Sequence, residues 1–167
     1  MRRAASVVSL VVFMVLANRA EAQLPLHLSL GGGLAAPVQD TGDLFNQGFH
    51  VGAALKVILV PFQAEASYMR LSSRGLGDAL SVYALGGSVP VEITPALLPI
   101  GLSLIAGAGV YHHGTGANKS DLGVNAGANI RIKPLPTLQP FVEGRGVMIF
   151  RDNENITYFT FGGGIRF

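Results

Sequence analysis

Tyr158-Phe159-Thr160-Phe161-Gly162-Gly163-Gly164-Ile165-Arg166-Phe167 closes the sequence. In an extended chain successive side chains point to opposite faces. Phe159, Phe161, Ile165 and Phe167 therefore share one face, and Tyr158, Thr160, Gly162, Gly164 and Arg166 the other. An apolar face that persists to a terminal phenylalanine is a liability in water. It suits a strand that closes a barrel in lipid, where that face must stay apolar along its whole length.

The same period of two recurs upstream. Leu24, Leu26, Leu28 and Leu30 alternate with Pro25, His27, Ser29 and Gly31. A second strand sets Phe49, Val51, Ala53, Leu55 and Val57 against His50, Gly52, Ala54 and Lys56, and a third sets Phe62, Ala64, Ala66 and Tyr68 against Gln63, Glu65, Ser67 and Met69. The fourth carries Tyr83, Leu85, Val89, Val91 and Ile93 opposite Ala84, Gly86, Ser88 and Glu92, with Pro90 predicting a bulge or an irregular end. The fifth runs from Ile100 to Tyr111. The sixth shows the clearest alternation: Leu122, Val124, Ala126, Ala128, Ile130 and Ile132 against Gly123, Asn125, Gly127, Asn129, Arg131 and Lys133. A seventh places Val142, Met148 and Phe150 opposite Glu143 and Arg145. Polar loops at Pro37 to Gln47, Ser72 to Ala79, His112 to Ser120 and Arg151 to Asn155 alternate with short turns at Pro61, Thr94 to Leu98 and Pro134 to Leu138.

Eight strands of about ten residues are the length that crosses a bilayer at a tilt. The expected fold is all-β, an eight-stranded antiparallel up-and-down transmembrane barrel. On these residues the chain from 24 to 167 resembles the small outer-membrane barrels of the OmpA and OmpX type. The resemblance implies long outer loops, short periplasmic turns and, with an even strand number, both termini on the periplasmic side. It also implies outer-membrane lipid and lipopolysaccharide as surroundings, and outer loops available to extracellular ligands. Gly162, Ile165 and Phe167 resemble the carboxy-terminal assembly signal read by the barrel-assembly machinery, with Phe161 where that pattern has a polar residue. That family is functionally diverse and shares no catalytic residue that could be carried over.

The opening of the sequence is read as a leader. Met1-Arg2-Arg3 is basic, Ala4 to Ala17 is apolar and Ala20-Glu21-Ala22 is an A-x-A cleavage signal, so residues 1–22 read as a secretory signal peptide and 23–167 as one barrel domain. Removing Arg2, Arg3, Arg19 and Glu21 leaves 12 − 3 = 9 basic and 10 − 1 = 9 acidic side chains. The basic balance belongs to the leader, and no basic patch remains to bind nucleic acid. With no cysteine, neither disulfides nor thiol chemistry enters. The longest later apolar stretch, Ala96 to Tyr111, is interrupted by Pro99, Gly101, Ser103, Gly107 and Gly109, which leaves the barrel as the structure lipid permits. A lipocalin would point its apolar face inward, but here the other face is Gly, Ser, Asn and charge. A β-sandwich would need a solvent face richer in Lys, Glu and Thr.

The strand charges carry the functional expectation. Lys56, Glu65, Glu92, Arg131, Glu143, Arg145 and Arg166 all fall on inward faces near a turn or the carboxy-terminus, and are expected to gather in the periplasmic half of the lumen. An Arg or Lys facing lipid at mid-membrane would cost about 2–4 kcal/mol, so the segregation favours this assignment. Three acids against four bases predict a paired network that fills the lumen, giving a structural or surface-interaction protein; a narrow channel for small solutes is the alternative. No cofactor is expected. His112-His113 are expected on a solvated rim, since adjacent histidines in a strand point oppositely and no further ligand has metal-site spacing. Lipid A-modifying barrel enzymes use a serine, a histidine and an acid, whereas His113-Gly114-Thr115 offers only a threonine, so no catalytic residue is assigned. Gly31-Gly32-Gly33 and Gly162-Gly163-Gly164 lack the following Lys-Ser/Thr and helix of a phosphate loop. Asn118-Lys119-Ser120 and Asn155-Ile156-Thr157 are sequons without meaning in an exported bacterial protein. Tyr68, Tyr83, Tyr111, Phe150 and Tyr158 lie near predicted outer loops and are expected to form part of an aromatic girdle.

Overall fold

The computed structural model describes residues 26–167 except 39, 58–59, 76, 96–97, 115–118, 134–137 and 153. The leader and the predicted strand start at Leu24 therefore lie outside the described residues, as do Thr115, Asn118 and much of the Pro134 turn. Eight strands follow in chain order: β1 (Leu26–Pro37), β2 (Phe45–Val57), β3 (Gln63–Ser73), β4 (Leu80–Glu92), β5 (Ile100–Gly114), β6 (Lys119–Ile132), β7 (Gln139–Ile149) and β8 (Ile156–Arg166). A short helix α1 (Asp40–Leu44) lies between β1 and β2. Each strand pairs antiparallel with its sequence neighbour, and β1 pairs with β8, so the sheet closes as an up-and-down barrel. The end where β1 begins and β8 ends is called lower here, and the opposite end upper.

The faces follow the parity of the sequence. Leu34, Leu85 and Leu122 are 63%, 69% and 67% exposed, and Phe159, Phe161, Ile165 and Phe167 also point outward. An apolar belt around the whole barrel fits lipid rather than water. Within it Tyr68 lies 5.9 Å from Phe49, edge to face, and 4.8 Å from Tyr83, linking β2, β3 and β4 by outward aromatics.

Strand ends differ from expectation. Pairing persists past the predicted loop starts, with His112 opposite Ser120 and His113 opposite Lys119, so β5 reaches Gly114. Backbone groups satisfied by a neighbouring strand have no reason to leave the ladder. Connections are consequently short at both ends, from four residues at 115–118 to seven at 93–99, and the expected contrast between long outer loops and short turns is absent. Pro90 makes no bulge either: its pairing with Ile105 lies in unbroken register. β3 reaches only Ser88 along β4, so Pro90 sits where β4 pairs with β5 alone and a missing N–H is tolerated. The irregularity instead lies at the upper rim, where the β2–β3 register shifts between Phe45 and Gly48.

Candidate functional site: the barrel lumen

The interior is layered along the barrel axis. In the upper half Ala35, Met69, Leu71, Leu80, Val82, Tyr111, Val147, Ile149, Ile156 and Tyr158 form one buried cluster, with Leu71, Ile149 and Val82 almost wholly removed from solvent. Each falls on the inward parity of its strand, and each large member contributes about 1.5–3 kcal/mol by burial. Helix α1 is held over this end by β8: the Thr157 amide donates to Thr41 Oγ1 at 3.1 Å, and the Val38 amide donates to the Thr157 carbonyl at 3.1 Å. An apolar upper lumen was not expected from a face read as Gly, Ser, Asn and charge. The signal was available where both parities turn apolar near the upper rim, as at Val147-Met148-Ile149-Phe150.

Below that layer β7 and β3, diametrically opposed in an eight-stranded ring, reach across the lumen. Arg145 Nη1 donates to Glu65 Oε2 at 2.5 Å and Nη2 to Glu65 Oε1 at 3.1 Å. Glu65 Oε1 also accepts from Gln63 Nε2 at 2.7 Å and Ser88 Oγ at 2.6 Å. Arg145 Nη2 contacts Glu143 Oε1 at 2.9 Å, and Arg145 Nη1 donates to Asn125 Oδ1 at 3.3 Å. Asn125 Nδ2 in turn donates to Tyr111 OH at 3.3 Å, and Asn129 Nδ2 to Glu143 Oε2 at 3.4 Å. Two-pronged guanidinium–carboxylate pairing with further donors on the carboxylate is the arrangement in which buried charge is best compensated. Arg145 Nε is buried and has no partner among the described residues.

The remaining charges lie lower. Arg131 Nη2 donates to Glu92 Oε2 at 2.8 Å, and Lys133 Nζ contacts Glu92 Oε1. Lys56 and Arg166 have no carboxylate within 4.0 Å among the described residues; Arg166 Nε instead donates to Ser29 Oγ at 3.1 Å. The seven residues grouped from sequence thus separate into a cross-lumen cluster (Arg145, Glu65, Glu143) and a lower cluster (Arg131, Glu92), with Lys56 and Arg166 unpaired. Lys133, already on the inward parity, joins the second. The single network of three acids and four bases is corrected accordingly. Strand register fixes which way a side chain faces, while barrel shear sets its depth.

Other assignments move as well. Tyr111 and Tyr158 are 4% and 3% exposed inside the upper core, so the girdle loses them and keeps the outward Tyr68, Tyr83 and Phe150. His113, expected on a solvated rim, is 4% exposed, with Nε2 2.7 Å from Asp121 Oδ2. His112, on the opposite face, lies 2.8 Å from Ser120 Oγ through Nδ1. Gly162 pairs with Gly33, Ile165 with Leu30, and the Phe167 amide donates to the Leu28 carbonyl at 2.8 Å. Gly162, Ile165 and Phe167 are therefore part of the seam that closes the barrel.

The chain is similar in structure to Neisserial surface protein A, with a TM-score of 0.68 and 13% identity over 85% of this chain and 96% of that one. It is also similar to the N-terminal β-barrel domain of Pseudomonas aeruginosa OprF, with a TM-score of 0.52 and 13% identity over 87% and 100% of the two chains. A major outer membrane protein from Thermus thermophilus gives a TM-score of 0.52 and 10% identity over 85% and 98%. No protein-family model and no curated protein matches the sequence. At these identities the likeness is one of fold, the small eight-stranded barrel of the OmpA and OmpX type.

Proposed function

We propose that residues 23–167 are an integral barrel of a bacterial outer membrane, delivered by a cleaved leader at 1–22, with a lumen closed to solutes. Its role is structural or one of surface contact, without enzymatic chemistry. The observation that carries this reading is the stacking inside the barrel, where a packed apolar layer lies directly above the Arg145–Glu65 crossing. An ion moving along the axis would have to desolvate against the first and displace the second. The apolar belt supports the membrane, and the likeness to barrels from outer membranes supports which membrane. In this reading the lower end faces the periplasm, the belt meets lipid and lipopolysaccharide, and Gly162, Ile165 and Phe167 engage the barrel-assembly machinery. The short upper connections leave little surface for an extracellular ligand, which favours the structural over the ligand-presenting role.

Two measurements test the proposal. The outer-membrane fraction should hold a species whose gel mobility changes on boiling, and the purified protein should conduct little or nothing in a planar bilayer. Steady single-channel conductance from the wild-type protein would replace this reading with a narrow channel for small solutes.

A further inference from the structure

The lower mouth of the lumen carries a charge excess that its own side chains do not neutralise. Going around the ring, Lys56 stands on β2, Arg166 on β8 and Arg131 on β6, with Lys133 just beyond it. Against these four cations Glu92 is the acid at the mouth, and it already takes both Arg131 and Lys133. The excess is 4 − 1 = +3, or +2 when the carboxyl group of Phe167 is counted. Glu143 faces the same interior but is engaged by Arg145 and Asn129. The connections at this end, 58–62, 93–99 and 133–138, contain one charged residue, Lys133, and no acid. Lys56 stands opposite His27 and Arg166 opposite Ser29, two positions apart on the same face of β1, so the two cations flank one strand at the lower end. Arg131 Nε is buried and unpartnered, and the terminal guanidinium nitrogens of Arg166 make no hydrogen bond among the described residues.

Like charges held together in a confined space are stabilised by a counter-ion. The lumen holds a cavity of about 130 Å³ lined by Arg166, Ser29, Ser103 and Asn129 together with Arg145, Glu65 and Glu143, so hydroxyl and amide donors converge with Arg166, the one mouth cation that borders it among the described residues. That volume holds several waters or one small anion. A guanidinium fork selects planar or tetrahedral oxyanions that accept two parallel hydrogen bonds.

We propose that the lower mouth of the lumen, formed by Lys56, Arg131 and Arg166, binds an oxyanion of the phosphate class. The site needs the barrel but not its closure, so it stands whether or not the lumen conducts. The group is either a free anion or a lipid phosphate headgroup reaching over the rim, and the chemistry of recognition is the same.

Isothermal titration of the folded full barrel in a neutral detergent, with inorganic pyrophosphate as the probe, tests this. Saturable binding is expected, weakening at least tenfold in Arg166→Gln and in Lys56→Gln and unchanged in Lys119→Gln, at the upper end of β6. Lys56 makes no hydrogen bond among the described residues, so its variant retains a folded barrel if Arg166→Gln does not, and boiling-dependent gel mobility verifies folding in each case. Repeating the titration in nanodiscs of phosphatidylcholine with and without phosphatidylglycerol separates the sources: competition assigns the site to a headgroup, and undiminished binding assigns it to a free anion. Absence of saturable heat in the folded wild type, or equal binding by wild type, Lys56→Gln and Arg166→Gln, would overturn the proposal.

Discussion

Arg145 on β7 and Glu65 on β3 are 80 positions apart in sequence and meet across the full width of the lumen through two hydrogen bonds, at 2.5 and 3.1 Å. The pair joins opposite walls of the barrel, so it constrains the cross-section as well as compensating charge. Arg145→Ala leaves Glu65 and Glu143 facing each other without a cation and should lower stability by about 3–5 kcal/mol. Glu143→Ala should cost less, because Glu65 still holds the guanidinium. Thermal unfolding followed by circular dichroism provides the comparison, and a double-mutant cycle of Arg145 with Glu65 isolates the pair. Unchanged midpoints in both single variants would mean that the charges are solvated individually.

The apolar layer and the ionic crossing should act as barriers in series. Leu71→Ala and Ile149→Ala each truncate a fully buried side chain and should destabilise by about 2–5 kcal/mol. Neither alone should raise conductance in a planar bilayer, since Arg145 still spans the lumen, whereas Leu71→Ala combined with Arg145→Ala should. A conducting Leu71→Ala single variant would show that the crossing is no barrier.

With four tyrosines and no tryptophan, the barrel's emission reports two populations. Tyr68 and Tyr83 face outward, and Tyr111 and Tyr158 are enclosed. Nitroxide-labelled lipid should quench the first pair and spare the second. Replacing Tyr68 and Tyr83 by leucine should remove the quenched fraction, and replacing Tyr111 and Tyr158 by phenylalanine the protected one. Uniform quenching would place all four at the lipid surface.

Phe167 and Gly162, both in the proposed assembly signature, should fail differently. The Phe167 ring points outward and is half exposed, so deleting it should reduce outer-membrane yield in cells while leaving the stability of detergent-refolded protein nearly unchanged. A methyl group at Gly162 would strike the Gly32 carbonyl across the seam, so Gly162→Ala should impair refolding in detergent as well. Equal yields for wild type and the deletion would remove Phe167 from the signal.

Much of this architecture is legible in the sequence alone. The inward and outward faces of β6 can be read from Leu122 to Lys133, and those of β8 from Tyr158 to Phe167, because the lipid-facing side of these strands is consistently apolar. Depth is not legible. Arg145 and Glu65 each show an inward parity, yet their meeting depends on the stagger accumulated over four strands, which no local pattern encodes. The upper core is obscured for a related reason: Met69, Leu71 and Val147 interrupt the expected polar inner face, and from Val147 to Phe150 a stretch apolar on both sides gives alternation nothing to show. His113 escapes because a ladder that continues beyond the lipid looks, in sequence, like the start of a polar loop.

Where β8 meets β1, Gly31, Gly32 and Gly33 stand opposite Gly164, Gly163 and Gly162. Three consecutive rungs carry no side chain on either strand, so nothing but backbone hydrogen bonding joins them, and cross-strand packing resumes at Leu30 with Ile165 and Leu34 with Phe161. Elsewhere around the ring a sliding strand would collide with its neighbours' side chains. Here it would meet a smooth track, with one sterically marked rung at each end. The last join in the barrel is thus a latch with two teeth, easily brought together and easily mis-set by two residues, the smallest slip that keeps each side chain on its own face. Setting it correctly depends on Leu30, Leu34, Phe161 and Ile165, and their loss should yield closed barrels in more than one register.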